Sequence, residues 1–428
     1  MTESIEIQPV AQPIRGRVRP PGSKSITNRA LACAAVADGV SHLTGALDSE
    51  DTRVMIKALG ELGVEVESQD AGSQLTVHGS AGQIPAMEAD LYCANSGTTI
   101  RFLTALATLG HGSFRLDGIE RMRERPIADL LDALNQLGAK ATSEQGNNCP
   151  PVVLHANGLP GGTAKIRGDI SSQYLSGVLM AAPCAQSAVE LIIDGTLVSQ
   201  PYVWMTLNVM KSFGVDVNTT NGLQQFHIEA PQTYRACEYA IEPDASAASY
   251  FWALAAICQG EVAVEGLTAE SLQGDVGFVD CLEQMGCEVR REANSITVIG
   301  RELRGIDVDM NAISDTVQTL SVVAIFADGP TRIRNVGHIR HKETDRIAAV
   351  ATELRKLGVQ VTEDEDGLTI EPRPADLRPA RIETYHDHRM AMSFALAGLR
   401  IPGVKIANPR CVDKTYPNYF EDLASIVS

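Results

Sequence analysis

A glycine that closes an amphipathic run recurs five times along this chain, in LGVEVE (Gly63), LGAKAT (Gly138), FGVDVN (Gly214), MGCEVR (Gly286) and LGVQVT (Gly358), at intervals of 75, 76, 72 and 72 residues. Interleaved with it is a second set of segments that open on small polar residues and run into small apolar ones. Their openings, at Lys24, Asn95, Ser171, Asp244, Asp315 and Asp387, lie 71, 76, 73, 71 and 72 residues apart. A period of that length marks one supersecondary unit that cannot bury its apolar face alone, so the copies must stack on one another. Six copies account for nearly all of the 428 residues.

Within RPIADLLDALNQLG, Ile127, Leu130, Leu131, Leu134 and Leu137 fall at helical spacing behind Pro126 at the first helical position. Gly138 then suits a left-handed cap before an alternating, strand-like stretch. The segments of the second set, rich in small residues, read as tightly buried helices, and the glycine-closed set reads as half exposed. TEDEDG near Asp364 reads as a solvated hairpin turn. The fold class is therefore α/β, with two helices alternating with strands in each repeat. The length calls for two domains.

A net charge of −17 excludes a general polyanion-binding surface, so neither nucleic acid nor an anionic membrane is an expected partner. Any anion must be held by a local cluster of Lys and Arg. The nine cysteines are scattered without CxxC pairs, which suits reduced core thiols. No apolar run reaches the roughly 18 residues of a membrane span, and the acidic start lacks a signal-peptide layout. A cytoplasmic protein is expected.

The stretch RPPGSKSITNRA invites comparison with a phosphate loop, but Lys24 does not directly follow Gly22 as a Walker loop requires. Ser23 or Ser25 can still cap a helix whose exposed amides favour an anion beside Lys24, with Arg29 a turn or so further on. The other openings are also helix starts, carrying Asn95, Ser96 and Gly97, then Ser171, Ser172 and Gln173, then Asp315, then Asp387, His388 and Arg389. Arg125 sits just before a further helix start. In HIRHKETDRIAAVATELRKLG a helix is expected to begin near Thr344 or Asp345, with Lys342 and Glu343 at its mouth and Arg346 in its first turn. His386 and His388 flank Asp387, but no further ligand cluster has supporting spacing, so no metal is expected.

Taken in order, PGSKSITNRA, NSGTTIRF, RMRERPI, GDISSQYLSG, SQPYV, SDTVQTL, HKETDR, YHDHRMAMSFA and DKTYPNYF span residues 21–420 and resemble the 5-enolpyruvylshikimate-3-phosphate synthases. The resemblance implies a two-domain enolpyruvyl transferase fold of six βαβαββ-type repeats, three per domain, with helix N-termini facing an interdomain cleft. Its crossing first strand implies one domain over residues 22–241 and another over 1–21 plus 242–428. It implies transfer of the enolpyruvyl group of phosphoenolpyruvate to the 5-hydroxyl of shikimate 3-phosphate, in a monomer with no cofactor. By the same resemblance Lys24, Ser25, Arg29, Ser171, Ser172, Gln173, Ser199, Tyr202, Asp315, His338 and Lys342 contact shikimate 3-phosphate. Lys24, Asn95, Gly97, Arg125, Gln173, Arg346, Arg389 and Lys414 surround phosphoenolpyruvate. Asp315 resembles the base toward the 5-hydroxyl and Glu343 the proton carrier at the methylene carbon, assisted by Lys24 and His388. His338 departs from the pattern, since related members often carry Asn there. The small Gly97 implies sensitivity to the inhibitor glyphosate.

Two other readings compete. The sister transferase acting on UDP-N-acetylglucosamine uses a loop cysteine, and DGIERMRERP holds none. A non-enzymatic clamp built of repeats would spread its basic residues along a channel instead of placing them with carboxylates at helix starts.

Overall fold

The computed structural model describes residues 3–10 and 13–427. Among them are twelve α-helices: α1 (Lys24–Ala35), α2 (Glu50–Glu61), α3 (Gly97–Ala107), α4 (Ala128–Gln136), α5 (Ser172–Ala181), α6 (Gln200–Ser212), α7 (Ala245–Ile257), α8 (Phe278–Gln284), α9 (Val317–Val323), α10 (Arg346–Lys356), α11 (His388–Gly398) and α12 (Tyr419–Val427). None is long and apolar enough to cross a membrane.

Odd and even helices live in different surroundings. Every residue of α3, α7, α9 and α11 is buried, and in α1 and α5 only Lys24, Ser25 and Gln173 escape burial. Small side chains make this possible, because Ala, Ser, Thr and Gly let helices approach closely on every face. At Gly177 of α5 a Cβ would come within 2.9 Å of the Arg101 carbonyl of α3. The even helices α2, α4, α6, α8 and α10 each keep a solvent face.

Those five even helices share one ending. Gly63, Gly138, Gly214, Gly286 and Gly358 have φ of 86°, 92°, 82°, 113° and 90°. Each glycine donates its N–H to the carbonyl three residues back, and the next residue donates to the carbonyl five back, as in Val64 N to Leu59 O at 2.9 Å and Val359 N to Leu354 O at 3.1 Å. This double closure satisfies orphan helix carbonyls and requires the left-handed residue that glycine supplies without a Cβ penalty. Buried Leu59 and Val64, or Leu354 and Val359, occupy the positions that pack across such a cap.

The chain forms two compact units, Gly22–Ile241 and Met1–Pro21 with Glu242–Ser428. The first holds three four-stranded sheets with one strand order. In one of them Glu88–Tyr92 pairs parallel to His111–Asp117, which pairs antiparallel to Val152–Asn157, which pairs antiparallel to Ala141–Ser143. The second unit has two sheets of the same order and a three-stranded one in which Arg381–Ile382, Lys405–Ala407 and Ser4–Glu6 take the first three places. Residues before Pro21 belong there because their ladders do: Ser4–Glu6 pairs with Lys405–Ala407, and Arg15–Val18 runs parallel to Glu261–Glu265. At the centre of the second unit Ser249, Thr319 and Ser393 link α7, α9 and α11 through hydroxyl contacts of 3.1 and 3.2 Å.

Two local expectations need correction. Helix α4 begins at Ala128 behind the N-cap Ile127, not at Pro126. The Pro126 carbonyl is instead taken by Arg101 Nη2 and the Tyr174 hydroxyl, and Ile127 N donates to Asn148 O. Asp315 does not cap a helix either. It lies in a 3₁₀ segment, Asn311–Thr316, ahead of α9, and its carboxylate turns to arginines instead of backbone amides.

The glycine caps can be tested against an ordinary helical glycine. At Gly358 an added Cβ would sit 2.1 Å from the Asp376 carbonyl at positive φ, whereas at Gly60, inside α2, it meets nothing within 4 Å. Gly358→Ala is expected to destabilise by at least about 1–2 kcal/mol and Gly60→Ala to stabilise by about 0.5–1 kcal/mol in urea unfolding.

Candidate active site

Three helix starts of the unit Gly22–Ile241 are capped by serines and tied to one another. Ser23, Ser96 and Ser171 accept from Ile26 N, Thr99 N and Gln173 N at 3.4, 3.3 and 3.3 Å. Asn28 Nδ2 of α1 donates to Thr98 Oγ1 of α3 at 2.8 Å. Arg101 Nη1 of α3 donates to Gln173 Oε1 of α5 at 2.6 Å, and Arg29 Nη2 of α1 donates to Ser176 Oγ of α5 at 3.4 Å. Three positive helix ends therefore gather, each with its first-turn amides at the helix mouth. That is a ready anion site.

Around this focus the expected residues fall into layers. Lys24 reaches Asp51 at 3.4 Å. Arg125 Nη1 donates to Asn95 O at 3.1 Å and Asn95 Oδ1 at 3.3 Å, which fixes the guanidinium beside the start of α3. A Cβ at Gly97 would lie 2.5 Å from Arg125 Nη2 and 3.0 Å from Arg101 Nη1. Only a residue without a side chain leaves both guanidiniums where they are. Arg125 is carried by a 3₁₀ segment, Glu120–Glu124, whose Arg123 is clamped to Asp117 at 2.7 Å and whose Arg121 pairs with Glu124.

Arg29 is 1% exposed and donates to Ser25 O, Thr206 Oγ1 and Tyr202 O at 2.8, 2.7 and 3.2 Å, stacked 5.3 Å from the Phe102 ring centroid. Burial pulls its pKa down to about 10. It braces Ser25 and Tyr202 through their carbonyls. Ser171 and Ser172 stand at the start of α5, and Ser199 adopts a left-handed φ of 52° ahead of α6.

In the other unit the expected residues form one ionic network. The Arg346 guanidinium is 1% exposed; its Nε donates to Asp387 Oδ2 at 2.8 Å, Nη1 to Asp315 Oδ1 at 3.0 Å and Nη2 to Glu343 Oε2 at 2.9 Å. Asp315 also accepts from Arg389 Nη2 at 2.7 Å, and Glu343 from Lys414 Nζ at 2.8 Å. Three cations thus interlock with three carboxylates. Burial alone would lower the Arg346 pKa, yet Asp387, Glu343 and Asp315 hold it above its ordinary value. Asp387 caps α11 by accepting from Arg389 N at 2.9 Å, so one carboxylate orders both the helix start and the arginine.

His388 is buried with Nδ1 3.7 Å from Asp387 Oδ1. His338 Nε2 lies 3.0 Å from Ser314 Oγ, next in sequence to Asp315. Burial, and then the Lys342 charge, push its pKa down to about 3, so the ring is neutral near pH 7. His386 contacts Asn408 Nδ2 at 3.1 Å.

Sequence reasoning missed Asp51, Arg101 and Asp275. Asp275 is a buried carboxyl that accepts from the Ser246 hydroxyl, and burial with the nearby Asp315 charge raises its pKa to about 7. Arg101 had a signal, as the one cation in the apolar run GTTIRFLTALA.

A family model described as EPSP synthase (3-phosphoshikimate 1-carboxyvinyltransferase) matches residues 9–423. A 3-phosphoshikimate 1-carboxyvinyltransferase of Trichormus variabilis is 50% identical over 419 residues, 98% of each chain. The chloroplastic enzyme of that name from Brassica napus is 47% identical over 99% of this chain and 85% of its own. Among solved structures, an EPSP synthase from Acinetobacter baumannii superposes with a TM-score of 0.83 at 27% identity, covering 99% of this chain and 98% of that one.

The depressed His338 pKa has a definite sign. Between about pH 6.5 and 3 the unfolded chain binds a proton at this residue that the folded chain does not, so its contribution to stability falls as pH falls. His338→Asn removes that loss. Relative to the parent, the variant is expected to gain about 2 kcal/mol between pH 7 and pH 5 in urea unfolding, at 1.36 kcal/mol per pH unit below the unfolded pKa.

Proposed function

The chain belongs to the EPSP synthase family, and from that premise we propose how its residues carry the transfer of an enolpyruvyl group from phosphoenolpyruvate to the 5-hydroxyl of shikimate 3-phosphate. Lys24, Ser25, Ser171, Ser172, Gln173, Ser199, Tyr202 and Lys342 hold shikimate 3-phosphate, with Arg29 bracing Ser25 and Tyr202 and His338 placed beside Asp315. Lys24, Asn95, Gly97, Arg125, Gln173, Arg346, Arg389 and Lys414 accommodate phosphoenolpyruvate. Both substrates are phosphorylated carboxylates, which accounts for gathered cations in an acidic protein. Supporting this reading above all is the Arg346 network, which joins two candidate acid–base carboxylates to three cations.

The addition step forms a C–O bond between the 5-hydroxyl oxygen and C2 of phosphoenolpyruvate. Asp315 takes the hydroxyl proton, and Glu343, protonated from solvent as the cations that hold it turn to the substrate, delivers a proton to the methylene carbon, C3. In the elimination step a methyl proton returns to the protein, the C2–O bond to phosphate breaks, and the enol ether double bond forms. Lys24 and His388 assist these proton transfers. Arginine and lysine around the tetrahedral intermediate stabilise charge that develops only there.

The ion pairs supply a trigger. Glu343 accepts from Arg346 and Lys414, and Asp315 from Arg346 and Arg389. Those cations favour the ionised carboxylates. When an anionic substrate engages Arg389 and Lys414 it weakens that hold, and the proton affinity of Asp315 and Glu343 rises as the chemistry begins. Glyphosate, an anion, competes for the same cations.

The reading is tested by phosphate release on mixing the protein with both substrates, each omitted in turn. Release is expected only with both. Glu343→Gln is expected to lower turnover by on the order of 10²-fold or more while leaving the affinity for shikimate 3-phosphate near that of the parent by calorimetry. Unchanged turnover would remove Glu343 from the mechanism.

A further inference from the structure

The stretch that delivers Asp387, His388 and Arg389 is gripped by a buried carboxylate to which the transfer chemistry assigns no part. Glu353 of α10 has no exposed surface. Its Oε1 accepts from the Tyr385 hydroxyl at 2.6 Å and its Oε2 from Glu383 N at 3.1 Å, while Lys356 Nζ donates to both oxygens at 2.8 Å. Lys356 follows Glu353 by three residues, so the charge is balanced on its own helix and the other two donors come from the distant segment.

That segment is conformationally unusual. Tyr385 and His386 have φ of 52° and 54°, two consecutive side-chain-bearing residues in the left-handed region. Such residues persist there only where the surroundings over-determine them. Asp387 N closes the turn on Thr384 O at 2.8 Å, and α11 starts at the next residue. Glu353 follows Arg346 by seven residues, two helical turns, so both project from one face of α10. Arg346 holds Asp387, and Glu353 holds the chain at Tyr385 and Glu383. One helix face therefore fixes the left-handed turn at both ends, and the position of Arg389 follows from it.

We propose that Glu353 is a positioning residue for the transfer reaction, acting through Tyr385 and the Glu383 backbone to set where Asp387 and Arg389 meet Arg346 and the incoming phosphoenolpyruvate. This rests on the functional reading above. The clamp depends on a carboxylate because two oxygens receive donors from three groups, whereas an amide turns an NH₂ group toward one of them.

Two variants test the clamp. Tyr385→Phe removes one hydroxyl and keeps the ring; Glu353→Gln keeps the shape and changes the donor pattern. Each is expected to raise KM for phosphoenolpyruvate by roughly tenfold, the scale of a small misplacement of binding groups. KM for shikimate 3-phosphate should stay within about twofold, and the double variant should lose less than the product of the single losses, as expected of residues that act together. A lowered melting temperature with both KM values unchanged, or with both raised equally, would overturn the proposal and leave Glu353 a packing residue. If Glu353→Gln fails to fold, Tyr385→Phe alone decides by the same ratio. A parent protein that releases no phosphate from the two substrates would overturn the functional reading, and this inference with it; parent activity with unselective variants overturns this inference alone.

Discussion

The buried guanidinium of Arg346 draws carboxylates from three separate stretches, Asp315, Glu343 and Asp387, onto one planar fork. Taking such charges out of water is costly, and their attraction offsets that cost only when geometry is good and the remaining donors are used. Here the fork is satisfied from several sides, and two of the carboxylates are shared with further cations. Removing one member of a buried pair costs about 3–5 kcal/mol, so the network is stable as a whole and fragile in its parts. Its bonds are also the local structure. Asp387 caps α11 while holding Arg346, and Asp345 caps α10 with its own side chain on Ala348 N at 3.0 Å, setting Arg346 at the first turn.

The unit Gly22–Ile241 solves a related problem with fewer charges. Its three buried helices are tied at their starts by Asn28 to Thr98, Arg101 to Gln173 and Arg29 to Ser176. Small residues elsewhere along these helices permit the close approach, and the few residues left accessible, Lys24, Ser25 and Gln173, lie where the amides point. Burial of three helices thus concentrates their positive ends in one place. Gly97 marks a tight point, because a side chain there displaces a guanidinium.

Much of this was legible in the sequence because it is local. The five glycine caps follow from an amphipathic run and one residue type, and Asp345 before Arg346 reads as a cap and a first turn. What escaped was set by partners distant in the chain. Glu353 in RIAAVATELRK has no local signal of its role; its environment comes from Tyr385 and Glu383, about thirty residues on. That Arg29 is held by Thr206 and Tyr202 of α6 likewise has no local signal. Pro126 has the residue type of a helix start, but Arg101 and Tyr174 claim its carbonyl and the helix begins two residues later. Asp315 has the type of a cap, and two arginines outcompete the backbone for it.

That a fork, and not merely a positive charge, organises the proposed acid–base carboxylates is tested most directly by single-turnover phosphate release from Arg346→Lys with both substrates saturating. Lysine keeps the charge but offers one point of contact instead of a planar set of donors. The expected result is a folded protein whose rate of release falls by on the order of 10²-fold, since three carboxylates lose their common alignment. A folded variant that releases phosphate within about threefold of the parent rate would contradict it, because charge alone would then suffice.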